Sequence, residues 1–68
     1  MKVSDLARAA GVTGETVRHY TREGLLHPRR DPGNGYQLFD PDDLNRLRFI
    51  QRARTLGFSL REVREILE

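Results

Sequence analysis

GVTGETVRHYTREG, residues 11–24, is the stretch on which the fold turns. Thr13 can accept a hydrogen bond from the backbone N–H of Thr16, and Val12 and Val17 are spaced as a hydrophobic staple, so a helix is expected to begin here. Gly24 is the residue type found just past a helix end. To the left, Ser4 reads as the N-cap of a first helix to about Ala10, with Asp5 in its first turn and Leu6, Ala9 and Ala10 as its apolar side. Only Gly11 and Val12 separate that helix from the cap of the next. Two short helices joined by a tight glycine-containing turn are the signature of a helix-turn-helix, here about residues 4–23.

At about 100° per residue, Val17, Tyr20 and Thr21 share the inner side of the second helix. Arg18, His19 and Arg22 share the outer one. A like-charge i,i+4 pair such as Arg18 and Arg22 is mildly unfavourable unless something opposes it. Two readings stand open on residue type: a solvated face neutralised by Glu15 and Glu23, or a face turned to a polyanion. Tyr20 reads either as core or as a packed ring whose hydroxyl reaches a phosphate.

LLHPRRDPGNGYQLFD, residues 25–40, places two short extended runs around DPGNG, which is rich in turn formers. A β-hairpin is expected, with Pro28 keeping its first strand at an edge and Arg29 and Arg30 beside its tip. A helix-turn-helix followed by a basic hairpin is a winged helix-turn-helix, although a plain connecting hairpin with solvated arginines fits the same residues. Asp40, Pro41, Asp42 and Asp43 then specify the start of the longest helix, stapled by Phe39 and Leu44. Its apolar positions, Leu44, Leu47, Ile50, Ala53 and Leu56, recur every three residues and Phe49 widens the stripe. Arg46, Arg48, Arg52 and Arg54 are expected on its surface. After Gly57, Ser59 and Glu62 form a capping box, with Phe58 and Val63 as a staple. Val63, Ile66 and Leu67 begin an apolar face without a stop signal after it, so a shortened form or the N-terminal part of a longer protein is expected. The architecture is thus mainly α, about four helices plus a small hairpin.

Composition limits what such a fold can do. A chain of 68 residues buries a thin core, so a large ligand cavity is not expected. There is no cysteine, which removes disulfides, zinc-thiolate sites and cysteine nucleophiles. His19 and His27 with scattered carboxylates have no metal-ligand spacing. No membrane span or signal peptide is legible, and a cytoplasmic location is expected. Net charge is +2, yet every basic residue but Lys2 is arginine, which fits either a GC-rich genome or recognition of phosphate and guanine.

The succession VSDLARAAGVTGETVRHYTREGLL, GNGYQLFDPDDLNRLRFI and RARTLGFSLREVREIL resembles the N-terminal DNA-binding domain of MerR-family transcription regulators over practically all of residues 1–68. It combines, in order, a T-x-R-x-Y helix, a G-Y wing strand, an L-x-R-L-x-F-I helix and G-F-S-L-x-E before the last helix. The resemblance implies one domain of helix-turn-helix, a wing at about 25–39, and a second wing of two helices at about 41–67. It implies a homodimer joined by a C-terminal helix, a pseudo-palindromic promoter with a long spacer as the double-stranded DNA partner, and an indirect action on RNA polymerase. It implies DNA contacts at Thr16, Arg18, His19, Tyr20 and Arg22 on the recognition helix, Tyr36 and Gln37 on the wing, and Arg54 on the second wing. With Thr13 at the cap and the hairpin residues Arg29 and Arg30, these make the candidate DNA-binding set.

Two positions depart from the family's pattern. His19 stands where Tyr or Phe is commoner, which implies a hydrogen bond or a pH-dependent contact instead of an aromatic one. Gln37 stands where Arg is commoner, so the wing should release fewer counterions on binding. The last segment is most similar to the metal-responsive branch, which implies a metal ion or small-molecule effector held by a C-terminal region, with no cofactor in these residues. No catalytic constellation is legible, so an enzyme is not expected. An excisionase-like architectural protein and a protein interaction module are the alternatives to an effector-controlled regulator.

Overall fold

The computed structural model describes all residues 1–68, in the order α1 (Val3–Ala10), α2 (Gly14–Arg22), β1 (Arg29–Arg30), β2 (Gln37–Leu38), α3 (Pro41–Thr55) and α4 (Leu60–Leu67). Three of the expected N-caps are in place. Thr13 Oγ1 accepts from the Thr16 N–H at 3.1 Å, Asp40 Oδ1 from the Asp43 N–H at 3.2 Å, and Ser59 Oγ from the Glu62 N–H at 3.2 Å. Each cap residue is extended, which turns the incoming chain away from the helix axis. Gly11 and Gly24 take left-handed φ values of 72° and 78° after α1 and α2, a conformation that would strain any other residue.

The start of α1 differs from expectation. The helix begins one residue earlier, and Ser4 lies inside its first turn instead of capping it. Lys2 is the N-cap residue, and the Asp5 carboxylate accepts from the Lys2 N–H at 3.1 Å. Starting at Val3 fixes the buried face as Val3, Leu6, Ala7 and Ala10, spaced i, i+3, i+4, i+7, and leaves Ala9 exposed.

The core joins every helix: Leu6 and Ala7 of α1, Val17 of α2, Leu25 and Leu26 after it, Phe39 before α3, Leu47, Ile50 and Ala53 of α3, and Val63 of α4. Fully burying one such Leu contributes roughly 1.5–3 kcal/mol. The stripe on α3 ends at Ala53. Residues three apart fall back about 60° per step, so after four steps Leu56 has turned away and is 73% exposed. With Phe49, Phe58 and Ile66 it lines an apolar surface cleft between α3 and α4.

Two polar residues of α3 hold the path from α2 to the hairpin. Asp43 was expected only to face the helix dipole, but it is 3% exposed. Its carboxylate accepts from the His27 N–H at 3.0 Å and the Asp40 N–H at 3.2 Å. Arg46 is half-buried, not a free surface residue, and its Nε donates to the Leu25 carbonyl at 3.0 Å. β1 and β2 pair antiparallel with Arg29 opposite Leu38 and Arg30 opposite Gln37. The Asp31 carboxylate accepts from the Gly33 N–H and the Asn34 carboxamide oxygen from the Tyr36 N–H, so the loop is closed by Asx turns as its composition suggests. Phe39 then exchanges two hydrogen bonds with Met1: its carbonyl accepts from the Met1 ammonium at 2.7 Å, and its N–H donates to the Met1 carbonyl at 2.6 Å.

Candidate nucleic-acid interface

The recognition helix presents its basic face because its apolar positions are spoken for. Val17 is fully buried and Tyr20 half-buried against the core, which turns Arg18, His19 and Arg22 outward, all exposed. Both arginines converge on one carboxylate. Arg22 Nη2 lies 3.1 Å from Glu15 Oε1, and Arg18 Nη1 lies 3.8 Å from Glu15 Oε2. Glu23 does not share the neutralisation. It is drawn to α4, where Arg64 Nη2 donates to its side chain at 3.2 Å and its carbonyl at 2.7 Å.

Arg18 is shaped by a second neighbour. A methyl group added at Gly14 would meet the Arg18 Nη1 at 3.5 Å, so the guanidinium lies back over the start of its own helix. Thr13 and Thr16 hydroxyls sit 3.0 Å apart, and the His19 and Tyr20 rings are tilted at 45° with centroids 5.5 Å apart.

The wing reaches the recognition helix through a groove lined by Lys2, Val3, Ser4, Arg18, Tyr36 and Gln37. Tyr36 is 58% exposed, and the Lys2 ammonium stands over its ring at 5.6 Å, within cation–π range. Arg29 and Arg30 are exposed, but Arg30 Nη1 bends back to the Gly35 carbonyl at 3.0 Å and so stiffens the loop it was expected only to decorate. Arg54 stands exposed near the end of α3. The structure therefore gathers Arg18, Tyr36 and Gln37 around one groove, Arg18 and Arg22 around Glu15, and Thr13 beside Thr16. It ties no other member of the candidate set to Arg54.

Sequence reading missed Lys2 and Ser4 in that groove. No periodicity could have placed them, because the pairing of Met1 with Phe39, which sets the start of the chain beside the wing, is a contact between residues far apart in sequence. The largest surface clefts hold about 370 and 380 Å³, at the groove and between α4 and the segment that follows α2. No cluster of three or more His, Cys, Asp or Glu side chains could hold a metal ion, and no helix is long and apolar enough to cross a membrane.

A helix-turn-helix, a hairpin across a groove from its second helix and a further helix pair define a winged helix-turn-helix. The chain belongs to the MerR family: the model for the MerR HTH family regulatory protein matches residues 1–68. Among its relatives, the HTH-type transcriptional regulator HmrR of Rhizobium leguminosarum bv. viciae is 40% identical over 67 residues, 98% of this chain and 51% of that protein. The transcription regulator PbrR691 of Ralstonia metallidurans CH34, solved in complex with lead(II), superposes with a TM-score of 0.89 at 36% identity, covering 98% of this chain and 52% of that one. HiNmlR, a MerR family regulator lacking the sensor domain and solved bound to promoter DNA, superposes with a TM-score of 0.88 at 30% identity, covering 97% and 50%. The chain spans about half the length of the relatives it matches.

Proposed function

We propose that residues 1–68 act as one DNA-binding domain of a transcription regulator, which grips a pseudo-palindromic promoter as a homodimer and distorts its long spacer in response to an effector. The observation that carries this reading is the recognition helix itself: two exposed arginines on its outer face, with the wing residues Tyr36 and Gln37 across a groove from Arg18. Arginine forks suit guanine edges and phosphates, and a second helix of this motif presents its outer face to the major groove. The likeness to HiNmlR, which is bound to promoter DNA, supports the same reading.

In this reading Arg18, His19 and Arg22 meet bases and backbone from the recognition helix, while Thr13, Thr16 and Tyr20 contact the backbone at its edges. Tyr36, Gln37, Arg29 and Arg30 extend the footprint along the wing, and Arg54 reaches a phosphate from the second wing. The protein is a cytoplasmic regulator and not an enzyme, and its effect on RNA polymerase passes through the shape of the promoter. The effector, a metal ion or a small molecule, is sensed outside this chain. PbrR691 holds lead(II), whereas no ligand cluster is present here. Selection from a random duplex library should enrich one motif and bind its inverted repeat more tightly than a single copy. Equal binding to every duplex would overturn sequence-specific recognition.

A further inference from the structure

We propose that Glu15 is a specificity-determining residue of the recognition helix, whose carboxylate braces Arg18 and Arg22 toward base edges and opposes their use on phosphates elsewhere. This rests on the DNA-binding reading above and assigns a role within it to an acidic residue. Glu15 is the second residue of α2, at the end of the helix that reaches base edges in this motif. Its oxygens are divided, Oε1 to Arg22 at 3.1 Å and Oε2 to Arg18 at 3.8 Å.

The three side chains are 70%, 61% and 56% exposed for Glu15, Arg22 and Arg18, so water screens these pairs and they contribute little to folding. Their value lies in placement. A guanidinium has five N–H donors, and the contacts with Glu15 leave most of them free for a bidentate bond to a guanine. On a matched site each arginine can keep Glu15 and read a base together. On an unmatched duplex the arginines gain only by swinging to phosphates, which breaks the brace and leaves a carboxylate facing the DNA backbone. Glu23, the other acidic residue of this region, is held by Arg64 and does not substitute.

The test compares the wild-type chain with Glu15→Gln, which keeps shape and removes charge, and Glu15→Asp, which keeps charge and shortens reach. Fluorescence anisotropy is read over a salt series on a duplex enriched from a random library by the wild type and on its scrambled counterpart. Glu15→Gln should bind the scrambled duplex about threefold to tenfold more tightly and the enriched one at most about twofold more tightly, with Glu15→Asp lying between. The Nε–Hε resonances of Arg18 and Arg22 in DNA-free protein should shift in Glu15→Gln and stay in place in Glu23→Gln. Equal gains on both duplexes, unchanged discrimination, or unmoved arginine resonances would overturn the role of Glu15 alone. A wild type that prefers no duplex would instead overturn the DNA-binding reading, and this proposal with it.

Discussion

Arg64 of α4 holds the end of the recognition helix, its Nη2 2.7 Å from the carbonyl of Glu23 and 3.2 Å from that residue's carboxylate. The bond satisfies a carbonyl at the helix C-terminus with a cation, which also suits the dipole there. It links residues 41 apart in sequence, one at the end of α2 and one within α4. Arg64→Ala should lower stability by about 0.5–1.5 kcal/mol and speed hydrogen exchange first at the amides of Glu23 and Gly24. Uniform loss of protection across the core would argue against a local tie.

Arg18→Ala should weaken binding to the selected duplex by about 1–3 kcal/mol if the guanidinium reads a base edge. Unchanged affinity in a gel-shift titration would remove Arg18 from the interface.

Replacing Arg29 and Arg30 together with Gln should lower the salt dependence of binding more than it alters sequence preference, since exposed strand arginines are suited to phosphates. A loss confined to one base pair of the site would contradict a phosphate role.

Asp43→Ala should destabilise the fold by about 2–3 kcal/mol, because the N–H groups of His27 and Asp40 would both lose their acceptor in a part-buried place. Chemical denaturation is the measurement, with the slope expected to stay constant and the midpoint to fall.

Glu62 accepts from the Ser59 N–H at 2.9 Å, and that bond, with the Ser59 side chain, holds its carboxyl below the ordinary value of 4.5. A depressed value in the folded state means the cap stabilises α4 above pH 4.5 and loses that contribution as acid protonates Glu62. Glu62→Gln should therefore melt with a flatter acid limb than the wild type, and parallel profiles would show that the cap adds nothing pH-dependent.

Much of this fold was legible because its boundaries are local chemistry. Thr13, Asp40 and Ser59 cap from their own side chains, and Gly24 ends α2 by its own φ. The hidden part lies in contacts across the chain. Ser4 looked like a cap because nothing in the sequence says that Met1 is drawn to Phe39, which sets where α1 can start. Leu56 looked like core because a three-residue repeat resembles a helical stripe until its drift is followed to the end. Asp43 and Arg46 looked like solvated charges, and their buried partners are backbone groups that every sequence possesses. On the outer face of α2, the outward arginines were readable from periodicity, whereas their sharing of the Glu15 carboxylate depends on side-chain paths that no spacing specifies.

The hairpin is tied at both roots: Leu25 by Arg46, His27 by Asp43, and Phe39 by the Met1 main chain. On the DNA-binding reading, a wing anchored in this way meets a duplex from a set position. It would then act as one jaw of a fixed calliper whose other jaw is the recognition helix, leaving the matching of groove to protein to the DNA. Sequences that bend or narrow easily would then be favoured even at base pairs that no side chain touches.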